Sequence, residues 1–207
     1  MFIVRGLIYL LALAAVAYGI GIEAIEYGPS AEYSEQSLTE RLQDLFTFSS
    51  AMLFYLCAYH SKPLRQACIL LGSLMLMMWI RESDSFLDQN VFDGAWQVFV
   101  SIVLVCTLFI LRKQVKESYF SLRRFSQTSS FGFVTSGLVI ILAFSRMMGR
   151  GEIWESLLGE TYIRAVKNIV EEGVELLGYS IVMIAAVELC AFVLANRKQD
   201  NATEKLS

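Results

Sequence analysis

Residues 174–195, VELLGYSIVMIAAVELCAFVLA, decide the fold class of this chain. A bilayer core about 30 Å thick is crossed by roughly 20 apolar helical residues. This stretch supplies such a run, and its only charged side chains are Glu175 and Glu188. It is therefore predicted to be a membrane-spanning helix.

Five further apolar stretches precede it, at residues 6–22, 45–59, 66–80, 95–111 and 131–148. The first also has features of a signal peptide, since Arg5 precedes an apolar run, but its single basic residue and its length favour a span. The 207 residues are 56% hydrophobic and 18% charged, with a mean hydropathy of +0.53, which is too apolar for an ordinary soluble domain. The prediction is an all-α polytopic transmembrane bundle of six spans.

The chain is expected to be a single transmembrane domain over residues 1–207. It has two prolines and no linker rich in serine and glycine, so nothing in the sequence marks a domain boundary. Between the fifth and sixth spans, apolar residues recur at helical spacing: Trp154, Leu158, Tyr162, Val166 and Ile169. This pattern predicts an amphipathic helix on the outer membrane interface.

The basic residues predict the orientation, because cytoplasmic loops of membrane proteins carry an excess of Lys and Arg. In the six-span model, one face holds eleven basic residues and three acids, whereas the other holds six basic residues and sixteen acids. The basic face is predicted to be cytoplasmic, and both termini lie on it.

Acidic side chains cluster at the predicted outer ends of the spans, where arginines also occur. The acidic candidates are Glu23, Glu26, Glu82, Asp84, Asp88, Glu171, Glu172 and Glu175, and the basic ones are Arg81 and Arg146. If the third helix continues, Arg81 and Asp84 share one face and can pair. Ionisable groups at membrane depth usually pair or line a cavity. One outward-facing site could bind a divalent cation or hold protons on its buried carboxylates, and structural ion pairs at the helix ends are the alternative.

Glu188 lies deep in the sixth span, about 10 Å from its cytoplasmic end at 1.5 Å per residue. A bare carboxylate there is costly, so we expect it to be protonated or paired. Arg5, Arg65 and His60 are the cations near that face that Glu188 is expected to reach.

Little in the sequence indicates enzymatic chemistry. His60 is the only histidine, the four cysteines all lie in apolar stretches, and no nucleophile motif or set of metal ligands is recognisable. No cofactor is indicated beyond a divalent cation.

Three short motifs loosely resemble small multi-span bacterial inner-membrane proteins of uncharacterised function. They are Arg81-Glu82-x-Asp84, Arg146, and Glu171-Glu172-x-x-Glu175-Leu176, and the resemblance covers the chain from the third span onward. It implies a bacterial inner-membrane location and supplies no activity.

Three function classes remain open. The first is a cation- or proton-linked transporter or sensor, and the second is an accessory or scaffold subunit of a membrane complex. The third, an enzyme acting on lipid, ranks lower because no catalytic residue is recognisable. The expected partners are the lipid bilayer and either a second copy of the chain or another membrane protein. No nucleic acid is expected, since the basic loop at 112–124 is explained as a topology signal that contacts anionic lipid.

The predicted orientation can be tested by labelling single cysteines in a cysteine-free background. A membrane-impermeant maleimide should label Ser34→Cys in intact cells and should leave Ser126→Cys unlabelled until the membrane is opened. The reverse pattern would contradict the orientation.

Overall fold

The computed structural model describes the backbone of residues 2–27 and 37–204, and the side chains of residues 3–26 and 37–197. The chain is 89% helical, and no strand occurs in the described ranges. The helices are α1 (Phe2–Tyr27), α2 (Leu38–His60), α3 (Arg65–Glu82), α4 (Asp84–Asn90), α5 (Ala95–Leu111), α6 (Val115–Phe125), α7 (Ser129–Val139), α8 (Arg146–Met148), α9 (Gly151–Leu158) and α10 (Arg164–Glu204). A π-helical turn, Ile140–Ser145, joins α7 to α8, and a 3-10 turn, Gly159–Thr161, follows α9. Ser34 lies outside the described residues.

Three stretches of the described chain are long and apolar enough to cross a membrane: Ile3–Glu26, Ser129–Met148 and Arg164–Arg197. A fourth crossing results if α4 and α5 are counted together, although these two helices meet at 113°. Three to four candidate spans are therefore established, and the six-span prediction goes beyond them.

Helices α2 and α3 contain the second and third apolar stretches and extend beyond them into polar residues. Helix α3 has 18 residues and carries charged side chains at both ends, Arg65 at its start and Arg81 and Glu82 at its end. Thr47 and Ser50 of α2 and Ser73 of α3 are all buried. A helix that packs inside protein needs a less apolar surface than one facing lipid, which is why hydropathy is a weaker signal for these two.

The predicted interfacial helix is divided in the structure. Helix α9 ends at Leu158, and Gly159 has φ of 54°, a left-handed conformation that glycine adopts readily. Helix α10 then begins at Arg164 and takes in Val166 and Ile169, so that only Trp154 and Leu158 of the predicted stripe belong to α9. One long helix thus replaces the second half of the predicted interfacial segment.

The chain forms two compact units, each built from separate parts of the sequence. Unit 1 comprises residues 1–45 and 135–182, and unit 2 comprises residues 46–134 and 183–207. The single-domain organisation stays a prediction.

Within unit 1, the segment from α7 to α8 and α10 approach each other closely at two glycines. A Cβ atom at Gly137 would lie 2.6 Å from Val182 Cγ2, and one at Gly178 would lie 2.5 Å from Ile141 Cγ1. Gly137 therefore leaves room for Val182, and Gly178 leaves room for Ile141. Each of these side chains lies four residues after the glycine of its own helical segment. Ile141 and Val182 are fully buried as a result. Small residues at such crossings let helix backbones approach, which is how helices pack where no hydrophobic effect draws them together.

Unit 2 has an apolar core that contains a short chain of hydroxyl groups. Phe54 and Met75 are fully buried, and the aromatic ring of Tyr55 lies against Gly72. The hydroxyls of Tyr55 and Thr107 lie 2.9 Å and 2.8 Å from Ser73 Oγ. Hydrogen bonding among these groups satisfies polar atoms that would otherwise be costly to bury.

The contact at Gly178 predicts a specific loss of stability. Gly178→Ala should lower the free energy of unfolding by about 1–3 kcal/mol, because the added methyl group meets Ile141 and the Gly137 carbonyl. The matched control is Gly132→Ala in α7, where a Cβ meets nothing within 4 Å. It should be neutral or slightly stabilising, since alanine favours helix. Thermal unfolding in detergent measures both, and equal effects would contradict the packing described.

Candidate functional site

Glu175, near the start of α10, is the centre of a group of charged side chains in unit 1. Its side chain is only 2% exposed. Arg146 Nη2 donates a hydrogen bond to Glu175 Oε1, and Ser145 Oγ lies 3.0 Å from the same oxygen. A buried carboxylate thus has both a positive charge and a hydroxyl beside it, as burial of an ionised group requires.

The π-helical turn Ile140–Ser145 ends at one of the two groups that bind Glu175, Ser145, and Arg146 follows it directly. A π turn includes an extra residue, so it changes the faces on which the following side chains lie, and such turns are frequent at functional sites. Ser145 and Arg146, adjacent in sequence, both reach Glu175 Oε1 from this turn.

Ser145 Oγ has two acceptors within hydrogen-bonding distance. It lies 2.6 Å from the Ile141 carbonyl oxygen and 3.0 Å from Glu175 Oε1. A hydroxyl carries one proton, so it donates to only one of them at a time. When the proton points to Ile141, Ser145 Oγ can accept a hydrogen bond from a protonated Glu175. Ser145 can therefore act toward Glu175 either as a donor or as an acceptor.

Glu171 lies one turn before Glu175 on α10 and is held by two cations. Lys167 Nζ is 3.1 Å from Glu171 Oε2, and Arg146 Nη1 is 3.8 Å from Glu171 Oε1. Gly149 leaves the space that this carboxylate occupies, because a Cβ there would overlap it. Arg146 thus lies between two carboxylates, and its own side chain is 45% exposed. We call Ser145, Arg146, Lys167, Glu171 and Glu175 the Glu175 cluster.

Glu172 points to a different partner in the same unit. Gln43 of α2, which is almost fully buried, donates from Nε2 to the Glu172 carboxylate and to the Glu172 backbone carbonyl, each at 3.0 Å. The two protons of the amide nitrogen allow both bonds at once. This contact fixes the start of α2 against α10.

Glu23 of α1 serves as an acceptor for the start of α2. Its carboxylate accepts hydrogen bonds from the backbone N–H groups of Leu38, at 2.7 Å, and Thr39, at 3.1 Å, and from the Thr39 hydroxyl. The first N–H groups of a helix have no partner within the helix, and the helix dipole favours a negative charge there. Glu23 is therefore a helix cap supplied from another helix, whereas Glu26 is exposed.

The remaining predicted acids belong to unit 2 and make local contacts. Arg81 forms an ion pair with Glu82 at 3.5 Å, and α3 ends there, so the continuous stripe of Arg81, Asp84 and Asp88 does not form. Asp84 Oδ1 accepts the Ser85 N–H, and Asp88 Oδ1 accepts the N–H groups of Gly94 and Ala95 at the start of α5. The convergence of all these acids on one site stays a prediction.

Glu188 is buried in α10, as its place in an apolar helix predicts. Arg65, one of its expected partners, donates from Nε to the Ala58 carbonyl at 3.3 Å, and His60 contacts Arg197. The pairing of Glu188 with Arg5 or Arg65 stays a prediction.

Among the residues whose side chains are described, no three or more His, Cys, Asp or Glu are placed to hold a metal ion together. The sequence interpretation also missed Ser145, Gln43 and Thr39, which supply hydrogen bonds to the predicted carboxylates. Ser145 carried a weak signal, since it is a polar residue directly before Arg146 in an apolar run. No family model, curated protein or solved structure matches this chain.

The cap on α2 makes a testable prediction about local stability. Glu23→Ala should destabilise the start of α2 by about 1 kcal/mol, because three donors lose their acceptor. Hydrogen exchange followed by mass spectrometry should show faster exchange at Leu38 and Thr39. Glu26→Ala removes an equal charge from an exposed position and should leave that exchange unchanged. Equal rates in the two variants would refute the capping role.

Proposed function

We propose that this chain is a six-span protein of the bacterial inner membrane with both termini in the cytoplasm. We further propose that its Glu175 cluster responds to protons at the outer face, as part of a sensor or of a transporter linked to protons or cations. The observation that carries this proposal is the position of Ser145 between Glu175 and the Ile141 carbonyl.

Helix lengths support six crossings. At a rise of 1.5 Å per residue, the 23 residues of α2 extend about 34 Å and the 18 residues of α3 about 27 Å, close to the thickness of a bilayer core. Arg65 and Arg81 at the ends of α3 can extend their charged groups toward the interfaces. Large apolar side chains are exposed along α1 and α5, for example Leu11 and Val105, as expected for surfaces that face lipid.

The orientation and location rest on the sequence. Basic residues are concentrated on the face that contains both termini, which favours a cytoplasmic position for it. The bacterial inner membrane is proposed because the short charged motifs resemble those of small multi-span bacterial inner-membrane proteins.

Two states of the Glu175 cluster follow from its contacts. When Glu175 is ionised, Arg146 balances its charge and Ser145 can donate to it. When Glu175 is protonated, it can donate to Ser145, and Arg146 no longer has an anion there. Glu171, 3.8 Å from Arg146 Nη1, is then the carboxylate available to Arg146. A proton would thus shift the partly exposed guanidinium group of Arg146 from Glu175 toward Glu171, and a local charge change of this kind is how proton-driven switches begin.

Protons suit this site better than a divalent cation. Ca²⁺ and Mg²⁺ require several oxygen ligands, and the two carboxylates here already bind Arg146 and Lys167. A metal ion would have to displace these two side chains.

The same contacts support a second candidate function, that of a non-catalytic accessory or scaffold subunit. Glu23, Glu171, Glu172 and Glu175 each receive hydrogen bonds or ion pairs from their own unit. Carboxylates satisfied in this way can serve to fix helices in place and need not respond to any signal.

Trp154 provides a reporter that separates these two functions. Its Nε1 donates to the Met148 carbonyl at 2.6 Å, two residues beyond Arg146. In a Trp79→Phe, Trp96→Phe background reconstituted in nanodiscs, we expect the Trp154 emission to change sigmoidally as the pH is lowered from 8 to 4. Glu175→Gln mimics the protonated carboxyl group and should hold the emission at its low-pH value throughout.

The matched control is Glu160→Gln, which removes an equal charge from the exposed 3-10 turn and should titrate like the parent. A parent emission that does not change with pH, or an unchanged titration in Glu175→Gln, would reject the proton-responsive function. The scaffold function then predicts that Glu175→Gln lowers only the melting temperature.

A further inference from the structure

Unit 2 contains a cavity of about 850 Å³ that the Glu175 cluster does not involve. It lies between the end of α2, the loop into α3, the end of α6 and the late part of α10. Twelve described residues line it. Its volume falls in the range of small-molecule sites, roughly 300–1,000 Å³.

The charge of this cavity has one sign. Lys62, Arg124 and Arg197 supply positive charges, and none of the twelve described lining residues is acidic. Ser61, Gln127, Thr128 and Asn196 add neutral polar groups to the lining. A concave surface with several cations and no acid in its wall attracts anions, and arginines in particular bind phosphate through paired hydrogen bonds.

His60 orients one of these arginines. Arg197 Nη1 lies 2.6 Å from His60 Nδ1, and because a guanidinium group only donates hydrogen bonds, Nδ1 must be the acceptor. The ring proton is then on Nε2, which leaves a further N–H donor. Tyr59 packs edge-on against the same ring, with centroids 4.9 Å apart. The hydrogen bond with His60 thus positions the exposed Arg197 side chain at the cavity.

Apolar groups lie beside the charged ones. Phe192, which is half exposed, and the buried Leu64 and Val193 form part of the lining. The cavity also lies where the apolar run of α10 ends, between Ala195 and Arg197. A cationic pocket at the end of a membrane helix, with an apolar wall, suits a charged headgroup whose remainder is apolar.

We propose that this cavity binds a phosphate-bearing anion. Two sources share this chemistry: the phosphodiester headgroup of an anionic lipid, and phosphate in free solution. The lipid source rests on the proposed membrane location, whereas binding of phosphate as such does not depend on it or on the Glu175 cluster.

The experiment uses the purified full-length chain and two probes. In one arm, dioleoylphosphatidylglycerol or dioleoylphosphatidylcholine is titrated into the detergent-solubilised protein at 0.15 M salt, and binding is measured by native mass spectrometry. In the other arm, inorganic phosphate is titrated in a calorimeter. The lipid source predicts tighter binding of phosphatidylglycerol than of phosphatidylcholine, and the free source predicts heat from phosphate alone.

Arg124→Gln/Arg197→Gln should weaken binding of the preferred probe by about 25-fold, on the basis of about 1 kcal/mol for each cation. Lys113→Gln/Lys116→Gln is the matched control, because it removes two exposed positive charges from the neighbouring segment outside the cavity. Its effect should be less than about threefold if binding is local, since exposed charges beyond a Debye length are largely screened at this salt concentration.

A third variant tests the cavity without removing any contact. Gln127→Lys adds a cation to an exposed lining position and should tighten binding about fivefold. Binding of neither probe by the parent, or equal losses in the two double variants, would overturn the proposal. None of these outcomes depends on the Trp154 titration. Failure of the anion-binding proposal is therefore distinct from failure of the proton-responsive function.

Discussion

The close approach of two helices at Gly137 and Gly178 is the constraint on which unit 1 depends. Between lipid-solvated helices, association rests on van der Waals contact and hydrogen bonds, because lipid is as apolar as the side chains it replaces. The two glycines let Ile141 and Val182 pack into the opposite helix. Further along the same crossing, this closeness brings Ser145 within 3.0 Å of the Glu175 carboxylate. A larger separation would leave that buried carboxylate without its hydroxyl neighbour.

The two units differ in how the charges of their side chains are compensated. In unit 1, the buried carboxylates are matched by donors built into the same unit, such as Arg146 for Glu175 and Thr39 for Glu23. In unit 2, the cavity beside Arg124 has cations in its wall and no acid among its described lining residues. The first arrangement compensates its charge internally, and the proton response proposed for it would come from exchanging one partner for another. The second would obtain compensation from the anion that we propose binds there.

The sequence predicts the long apolar helices well because the signal for such a helix is local. The structure gives α5 the same bounds as the predicted stretch 95–111, and the predicted stretch 131–148 corresponds to Ser129–Met148. The boundaries of α10 differ more, since a charged, amphipathic entry at Arg164 continues into the apolar run without a break. Hydropathy does not register such an entry.

The candidate site was predictable in part. The sequence placed Glu171, Glu175 and Arg146 at similar predicted depth, and the structure brings these three together. It did not indicate the π-helical turn, because that geometry depends on packing between helices distant in sequence. It also did not indicate that Glu23 binds the start of α2, because a helix cap is usually sought within the few residues before the helix.

The hydrogen bonds of Glu23 have a consequence for the order in which the chain can assemble. A helix whose first N–H groups are buried without an acceptor carries a cost in free energy. For α2, that acceptor is on α1, which a ribosome completes first. The hydrogen bonds between Glu23 and the start of α2 can therefore form as soon as Thr39 and its neighbours have emerged, before Gly137 or Glu175 has been synthesised. Assembly of unit 1 can therefore begin from this contact between α1 and the start of α2.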